Sequence, residues 1–297
     1  MAIVVSIDAG TTGVRSFAIN EQGQQIALSY KEFTQHFPRP GWVEHDPNEI
    51  WESVQFTLSE LKGSISEPVA AIGITDQRET VLAWNLRSGD PICNAIVWQD
   101  RRTSNRCDEL LETGYLDQIR HTTGLVIDPY FTGTKIEWLL KNGVVELGPD
   151  LAFGTIDSWI IWKLTGGSNY VTDVSNASRT LLYDIRNGSW SSELCQLFGV
   201  PESSLPEVLP SSGRFGLTSQ TTALGAGIPI SGVAGDQQSA LFGQACLQPG
   251  MTKNTYGTGS FVLMNAGPQC PEPVDGLLTT VAWDLGSGPI YALEGSV

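Results

Sequence analysis

The sequence predicts an α/β fold: a mixed β-sheet with flanking helices. Three observations predict it: strand-like segments joined by turns too short for parallel crossovers, a well-signalled amphipathic helix that leads into a further strand, and a late strand, helix and hairpin in succession. "AIVVSIDAG", "VRSFAIN" and "QIALSYKEF" read as strands with turn signals at "AGTTG" and "NEQG", so the chain opens as an antiparallel meander. After the Pro-rich "FPRPGWVEHDP", Asp46 at the N-cap, Pro47 at N1 and Glu49 at N3 mark a helix start, and Ile50, Val54, Leu58 and Leu61 share one face. That helix crosses to the strand "VAAIGIT". Further strands, "QRETVLAWN" and "NAIVWQD", and helices, "RRTSNRCDELLE" and "TKIEWLLKNG", follow, the last closed by Gly143 at C′. The stretch from "GVAGDQQSALFGQA" through "TKNTYGTGSFVLMN" pairs a strand or turn with a helix and adds a hairpin. "GPIYALEGSV" reads as a strand and a glycine turn with nothing after it, so a truncated chain is expected.

With 297 residues, 41% of them hydrophobic and 16% charged, the chain can bury a large core as one large domain or two smaller ones. Lysine and arginine number 17 against 32 aspartates and glutamates, and the resulting charge of −15 repels phosphate backbones and anionic lipid. Nucleic acid and membrane are therefore poor partners. The five cysteines are scattered, odd in number and without CxxC spacing, which argues against a disulfide framework or a zinc site and for a reducing, cytoplasmic setting. No basic and apolar leader opens the sequence, and no run of about 18 apolar residues occurs, so neither classical export nor integral membrane contact is expected.

Two loops and two aspartates carry the chemistry. A strand ending at Asp8 and followed by "AGTTG" sets small residues where backbone amides and hydroxyls approach phosphate oxygens, beside a carboxylate able to hold a hydrated Mg²⁺. Taken alone it is equally an ordinary Gly/Thr hairpin. In "GVAGDQQSAL", Asp236 stands at a helix start whose positive end favours an ionised carboxylate, suited to a base, although a plain N-cap would look the same. "NTYGTGSF" repeats the first loop's chemistry around Thr258. Between the two, Arg78 and Glu79 with the aromatic Trp98 and Tyr130 suit a small polyol, whose hydroxyls need donor and acceptor and whose carbons need an apolar wall. The bland alternative is a surface ion pair and core aromatics.

Together these stretches resemble the FGGY carbohydrate kinases. The resemblance is carried by "DAGTTGVR", "PGWVEHDPNEIW", "AAIGITDQRET", "NAIVWQDRR", "TGLVIDPYFTGTKIEWLL", "GTIDSWIIWKLT", "TDVSNASRTLLYDI", "PISGVAGDQQSALFGQ" and "KNTYGTGSF", and it covers essentially the whole chain. It implies a ribonuclease-H-like domain of the actin/hexokinase/Hsp70 ATPase type, and ATP-dependent phosphorylation of glycerol with Mg²⁺. It further implies that residues 1–297 are the first of two domains. The second, absent after Val297, would supply most of the adenosine pocket, leaving the isolated chain weak or inactive; a homo-oligomer is open for the full-length enzyme.

Carried over by motif, Asp8 would coordinate Mg²⁺, while Thr11, Thr12, Gly13 and Arg15 would hold the phosphates from one side and Thr258 and Gly259 from the other. Arg78, Glu79, Trp98, Tyr130, Asp236, Gln237 and Phe261 would surround glycerol, with Asp236 accepting the proton of the attacking hydroxyl. Two positions depart from the pattern. Asp76 stands where many members that act on glycerol have Asn, which bears on substrate choice, and Gly227 stands where members inhibited by fructose 1,6-bisphosphate have Arg, so strong inhibition of that kind is not expected. The competing readings are a kinase for another polyol or sugar, and a non-kinase actin/Hsp70-like ATPase, in which the Arg78, Glu79 and Trp98 cluster would have no use.

Overall fold

The computed structural model describes residues 2–256 and 260–296. Strands Ile3–Ala9, Gly13–Asn20 and Gln25–Glu32 form the expected antiparallel meander. Ile3–Ala9 also pairs in parallel with Val69–Asp76, which pairs in parallel with Pro229–Gly235, and Ser212–Leu217 closes that edge antiparallel, so the six-stranded sheet is mixed. Alternation sorts its faces: Ile3, Val5, Ile7, Val14 and Ala18 are buried together with Ile50, Val54, Leu58 and Leu61 of the Pro47–Ser64 helix.

That helix begins as the sequence predicts. Asp46 caps it by accepting from the Asn48 amide at 2.8 Å. Glu49 does not close a capping box; its carboxylate accepts instead from the Thr34 amide at 2.8 Å and ties down the incoming loop. Replacing Asp46 by Ala is expected to destabilise the chain by about 1 kcal/mol in urea denaturation, and a loss below about 0.3 kcal/mol would count against the cap.

A second core gathers around Phe131, Phe153 and Phe198, between the helices Ser104–Glu112, Leu116–Thr123, Thr132–Lys141 and Ser192–Phe198. Gly143 sits at φ +65° just past the third of these, as its C′ role requires. A separate antiparallel sheet follows, in the order Thr252–Tyr256, Ser260–Gly267, Pro289–Ser296, Leu278–Asp284. Here the glycine turn expected near the end is absent, because Gly295 pairs with Val262 and the strand runs on through it. The strand predicted at "QRETVLAWN" begins only at Leu82, since the residues before it turn sharply out of the large sheet. Among the described residues no helix is long and apolar enough to cross a membrane.

Candidate active site

Three parallel strands end side by side. Ala9 and Gly235 flank Asp76 in register, so the loop after Ala9, the segment Gln77–Thr80 and the helix Asp236–Gly243 all leave the sheet at one edge, where ligands of open α/β sheets bind. Polar side chains lock these exits together. The Gln77 amide donates to Ala9 O (2.9 Å) and its Nε2 to Gly10 O (3.0 Å). Gly13 closes the first loop because a Cβ there would stand 2.6 Å from Lys31 O.

Glu79 adopts φ +62°, a conformation rare for a residue with a side chain, and the Thr80 amide donates to Arg78 O at 2.7 Å across it. Such strain persists only where neighbours over-determine it. Here Thr132 Oγ1 (3.1 Å) and the buried Lys135 Nζ (3.2 Å) both donate to Glu79 O, and Lys135 Nζ also donates to Tyr130 O at 2.8 Å. Burial lowers the Lys135 ammonium to about 7. One lysine thus pins two of the predicted site segments.

Between the exits lies a cavity of about 40 Å³. Thr11, Arg78, Glu79, Asp236 and Gln237 give it a polar side, and Trp98, Tyr130 and Phe261 an aromatic one. Trp98 meets Tyr130 and Phe261 edge to face, with ring centroids 5.6 and 6.4 Å away, and its Nε1 donates to Thr11 Oγ1 at 2.9 Å. All seven residues assigned to the polyol therefore converge, and Thr11, assigned to the phosphates, joins them. Thr12 and Arg15 stand exposed, the latter over the Tyr30 ring. Thr258 and Gly259 lie outside the described residues.

Arg78 and Glu79 are buried, not a surface pair. Arg78 donates to both oxygens of Glu294 (Nη1 2.6 Å, Nη2 2.9 Å), with Gln238 Oε1 and Tyr130 Oη each at 3.3 Å. Its Nε lies 3.4 Å from Asp236 Oδ1 and 3.7 Å from Glu79 Oε1. Gly235 makes room, since a Cβ there would meet Arg78 Cγ at 2.7 Å. Arg179 completes the group, its Nε donating to Glu79 Oε1 at 2.6 Å and its Nη2 to Glu294 Oε1 at 3.1 Å. Burial alone would raise Glu294, but Arg179 and Arg78 hold it down to about 2. Lys253, buried and lowered by that burial to about 8, donates to Gln237 Oε1 and, at 2.8 Å, to Thr255 Oγ1.

Asp236 is half-buried at the first turn of its helix and accepts from the Gln237 amide at 2.7 Å. The helix end does not hold it low as the sequence suggests. Burial pushes it up, Arg78 and the Gln237 amide oppose this, and Glu294 and Asp8 add to it. Burial also raises Asp8, with Arg15 opposing. The described residues contain no cluster of three or more His, Cys, Asp or Glu suited to a metal. A lone half-buried carboxylate at Asp8 nevertheless fits Mg²⁺, which keeps waters and phosphate oxygens as most of its ligands.

Asp76 does not line the cavity. It is fully buried, accepts from Asn176 Nδ2 at 3.0 Å, and is raised well above its usual value by burial and then by Asp157. Sequence reasoning missed Arg179, Glu294, Gln238 and Lys253. The only signal for the two charges was their setting, Arg179 before "TLLY" and Glu294 inside "IYALEGS", where a buried charge demands a partner.

A sequence profile described as the FGGY family of carbohydrate kinases, N-terminal domain, matches residues 3–243; the separate antiparallel sheet lies beyond it. Glycerol kinase of Carboxydothermus hydrogenoformans is 52% identical over 99% of this chain and 60% of its own length, and glycerol kinase 2 of Thermotoga maritima is 53% identical over 100% and 61%. The crystal structure of Plasmodium falciparum glycerol kinase with ADP superposes with a TM-score of 0.93 at 36% identity, over 100% of this chain and 61% of that one. Gluconate kinase from Lactobacillus acidophilus, at 21% identity and a TM-score of 0.91, shares the fold. The chain spans about 60% of the length of the curated relatives it matches. With its mixed sheet and flanking helices arranged as in these actin/hexokinase-like kinases, the chain belongs to the FGGY family of carbohydrate kinases.

Proposed function

We propose that the protein transfers the terminal phosphoryl group of ATP to a terminal hydroxyl of glycerol, giving sn-glycerol 3-phosphate, with Asp236 as the general base. The cavity carries this reading. It offers acceptors on one side and aromatic faces on the other, the pairing that the hydroxyls and the carbons of a small polyol need. The relatives named glycerol kinase, and the one solved with ADP, support the same acceptor and donor.

Phosphoryl transfer needs alignment, charge neutralisation and a place for the hydroxyl proton, and no covalent intermediate. Glu79 and Asp236 would accept hydrogen bonds from the polyol, while the Arg78 Nε–H and Gln237 supply donors. Trp98, Tyr130 and Phe261 would cover the carbons and keep water from the acceptor. Asp236, made more basic by burial, would take the proton as the oxygen attacks. Thr12, Gly13 and Arg15, together with Thr258 and Gly259, would hold the phosphates, with Thr11 at the polyol cavity beside them. Asp8 would hold Mg²⁺, which supplies neutralisation of phosphate charge.

Glycerol should therefore stabilise this chain. At a hundredfold excess over its Kd the gain is about 2.7 kcal/mol, which raises Tm by roughly 5 °C in a chain of this size. Differential scanning calorimetry across a glycerol series checks it, and a Tm that moves no further than with an equal concentration of ethylene glycol counts against the reading.

A further inference from the structure

We propose that Glu294 is a positioning and specificity-determining residue: by clamping the Arg78 guanidinium through both of its oxygens, it makes the cavity select a neutral polyol and reject an anion of the same size. The inference rests on the polyol reading of the cavity and adds to it a residue from the antiparallel sheet, outside the stretch that the family profile matches.

The argument is a count of donors. A guanidinium has five N–H groups. Four belong to Nη1 and Nη2, and these meet Glu294 Oε2 at 2.6 Å and Glu294 Oε1 at 2.9 Å, with Gln238 Oε1 and Tyr130 Oη at 3.3 Å. Only Nε–H remains; Nε lies 3.4 Å from Asp236 Oδ1 and 3.7 Å from Glu79 Oε1, too far for a short bond to either. The fork that would bind a carboxylate or phosphate side-on is thus already occupied by a carboxylate of the protein. Glu294 is 0% exposed, and its Oε1 also accepts from Arg179 Nη2, so it cannot swing aside.

Two consequences follow for the ligand. Glu79 and Asp236 stay available as acceptors, because the clamp prevents Arg78 from turning its Nη groups onto them. The cavity also presents more negative than positive charge, since the positive fork faces inward. Hydroxyl donors gain from this arrangement, and a hydroxy acid anion meets two carboxylates and no free fork. Were Glu294 neutral, Arg78 would be released toward the cavity, weakening the polyol site and building an anion site in its place.

Glycerol and glycerate, alike in carbon number and differing in one carboxylate, separate these cases. Calorimetric titration of the wild-type chain should show glycerol bound and glycerate bound at least tenfold more weakly. In Glu294→Gln glycerol should weaken at least tenfold while glycerate binds more tightly than it does to the wild type. Loss of fold would weaken both ligands together, and parallel weakening, or no change in either, would overturn the proposal. The clamp is also readable without ligand or substitution. In the ¹⁵N spectrum of the arginine guanidinium groups, hindered rotation should resolve the Arg78 Nη protons in the wild-type chain, and added glycerol should shift Nε–H while leaving Nη in place. Averaged Nη signals, or Nη signals that move with glycerol, would overturn the clamp. Resolved Nη signals in a chain that binds no glycerol would support the clamp and remove the polyol reading instead.

Discussion

Asp236→Asn in the full-length protein should lower kcat by about a thousandfold, within the range that general-base catalysis supplies, while glycerol affinity changes by less than about tenfold. The asymmetry follows from the contacts. An asparagine oxygen can still accept from the Gln237 amide, where Asp236 Oδ1 does so at 2.7 Å, so the helix start keeps its geometry. The nearest cation, Arg78, meets Asp236 only through Nε at 3.4 Å and has its stronger bonds elsewhere, so the loss of charge does not dismantle the network. What disappears is the carboxylate proposed to take the proton as the hydroxyl attacks, while Glu79, the other carboxylate of the cavity, stays in place. A variant whose turnover stays within tenfold of the wild type would remove Asp236 from the chemistry, and a variant that loses glycerol binding in step with turnover would make it a binding residue only. Steady-state kcat and KM for glycerol at saturating ATP decide between these outcomes.

The local signals that the sequence carries are those one element can supply alone. Asp46, Pro47 and Gly143 mark their helix ends, and the period-2 pattern of the first strands fixes which face is buried. The site residues written in motifs, from Arg78 and Glu79 to Asp236 and Gln237, converge because three parallel strands deliver them to one edge of the sheet. Features set by long-range pairing stayed hidden. Glu49 stands at N3, where a capping box would place it, yet a free amide at Thr34 competes for it. Glu79 carries no glycine or asparagine signature for its left-handed turn, since two donors from the Thr132–Lys141 helix impose it. Asp236 stands at a helix N-terminus, but burial outweighs the helix end. Arg179 and Glu294 lie 115 residues apart and meet only because the second sheet packs against the Val174–Ala177 helix that precedes Arg179.

Arg179→Met should destabilise the fold by about 3–5 kcal/mol, the penalty for removing one partner from a buried ion group. Methionine fills much of the same volume and can rest on the Tyr130 and Phe131 rings, which the guanidinium now faces at 5.7 and 5.3 Å. Packing is therefore largely kept, and the change isolates the charge. Glu79 Oε1 would lose its 2.6 Å donor, and Glu294 would keep only Arg78. Two fully buried carboxylates would then share a single guanidinium, and the group of Arg78, Arg179, Glu79 and Glu294 would pass from balanced charge to one negative charge in excess. The pH dependence carries a second signature. Glu294 is held at about 2 in the folded chain against 4.5 as its ordinary value, so its contribution to stability is fully present above pH 4.5 and is lost as pH falls toward 2. Without Arg179 that folded value must rise, and stability in acid should fall less steeply than in the wild type. Urea midpoints at pH 7 and at pH 4 test both statements. A loss below about 1 kcal/mol at pH 7 would mean that the carboxylates are satisfied without Arg179; an equal acid slope in the two proteins would mean that Arg179 does not hold Glu294 down. Methionine in place of Glu79 as well should recover part of the loss, because removing both members of a buried pair leaves no charge stranded.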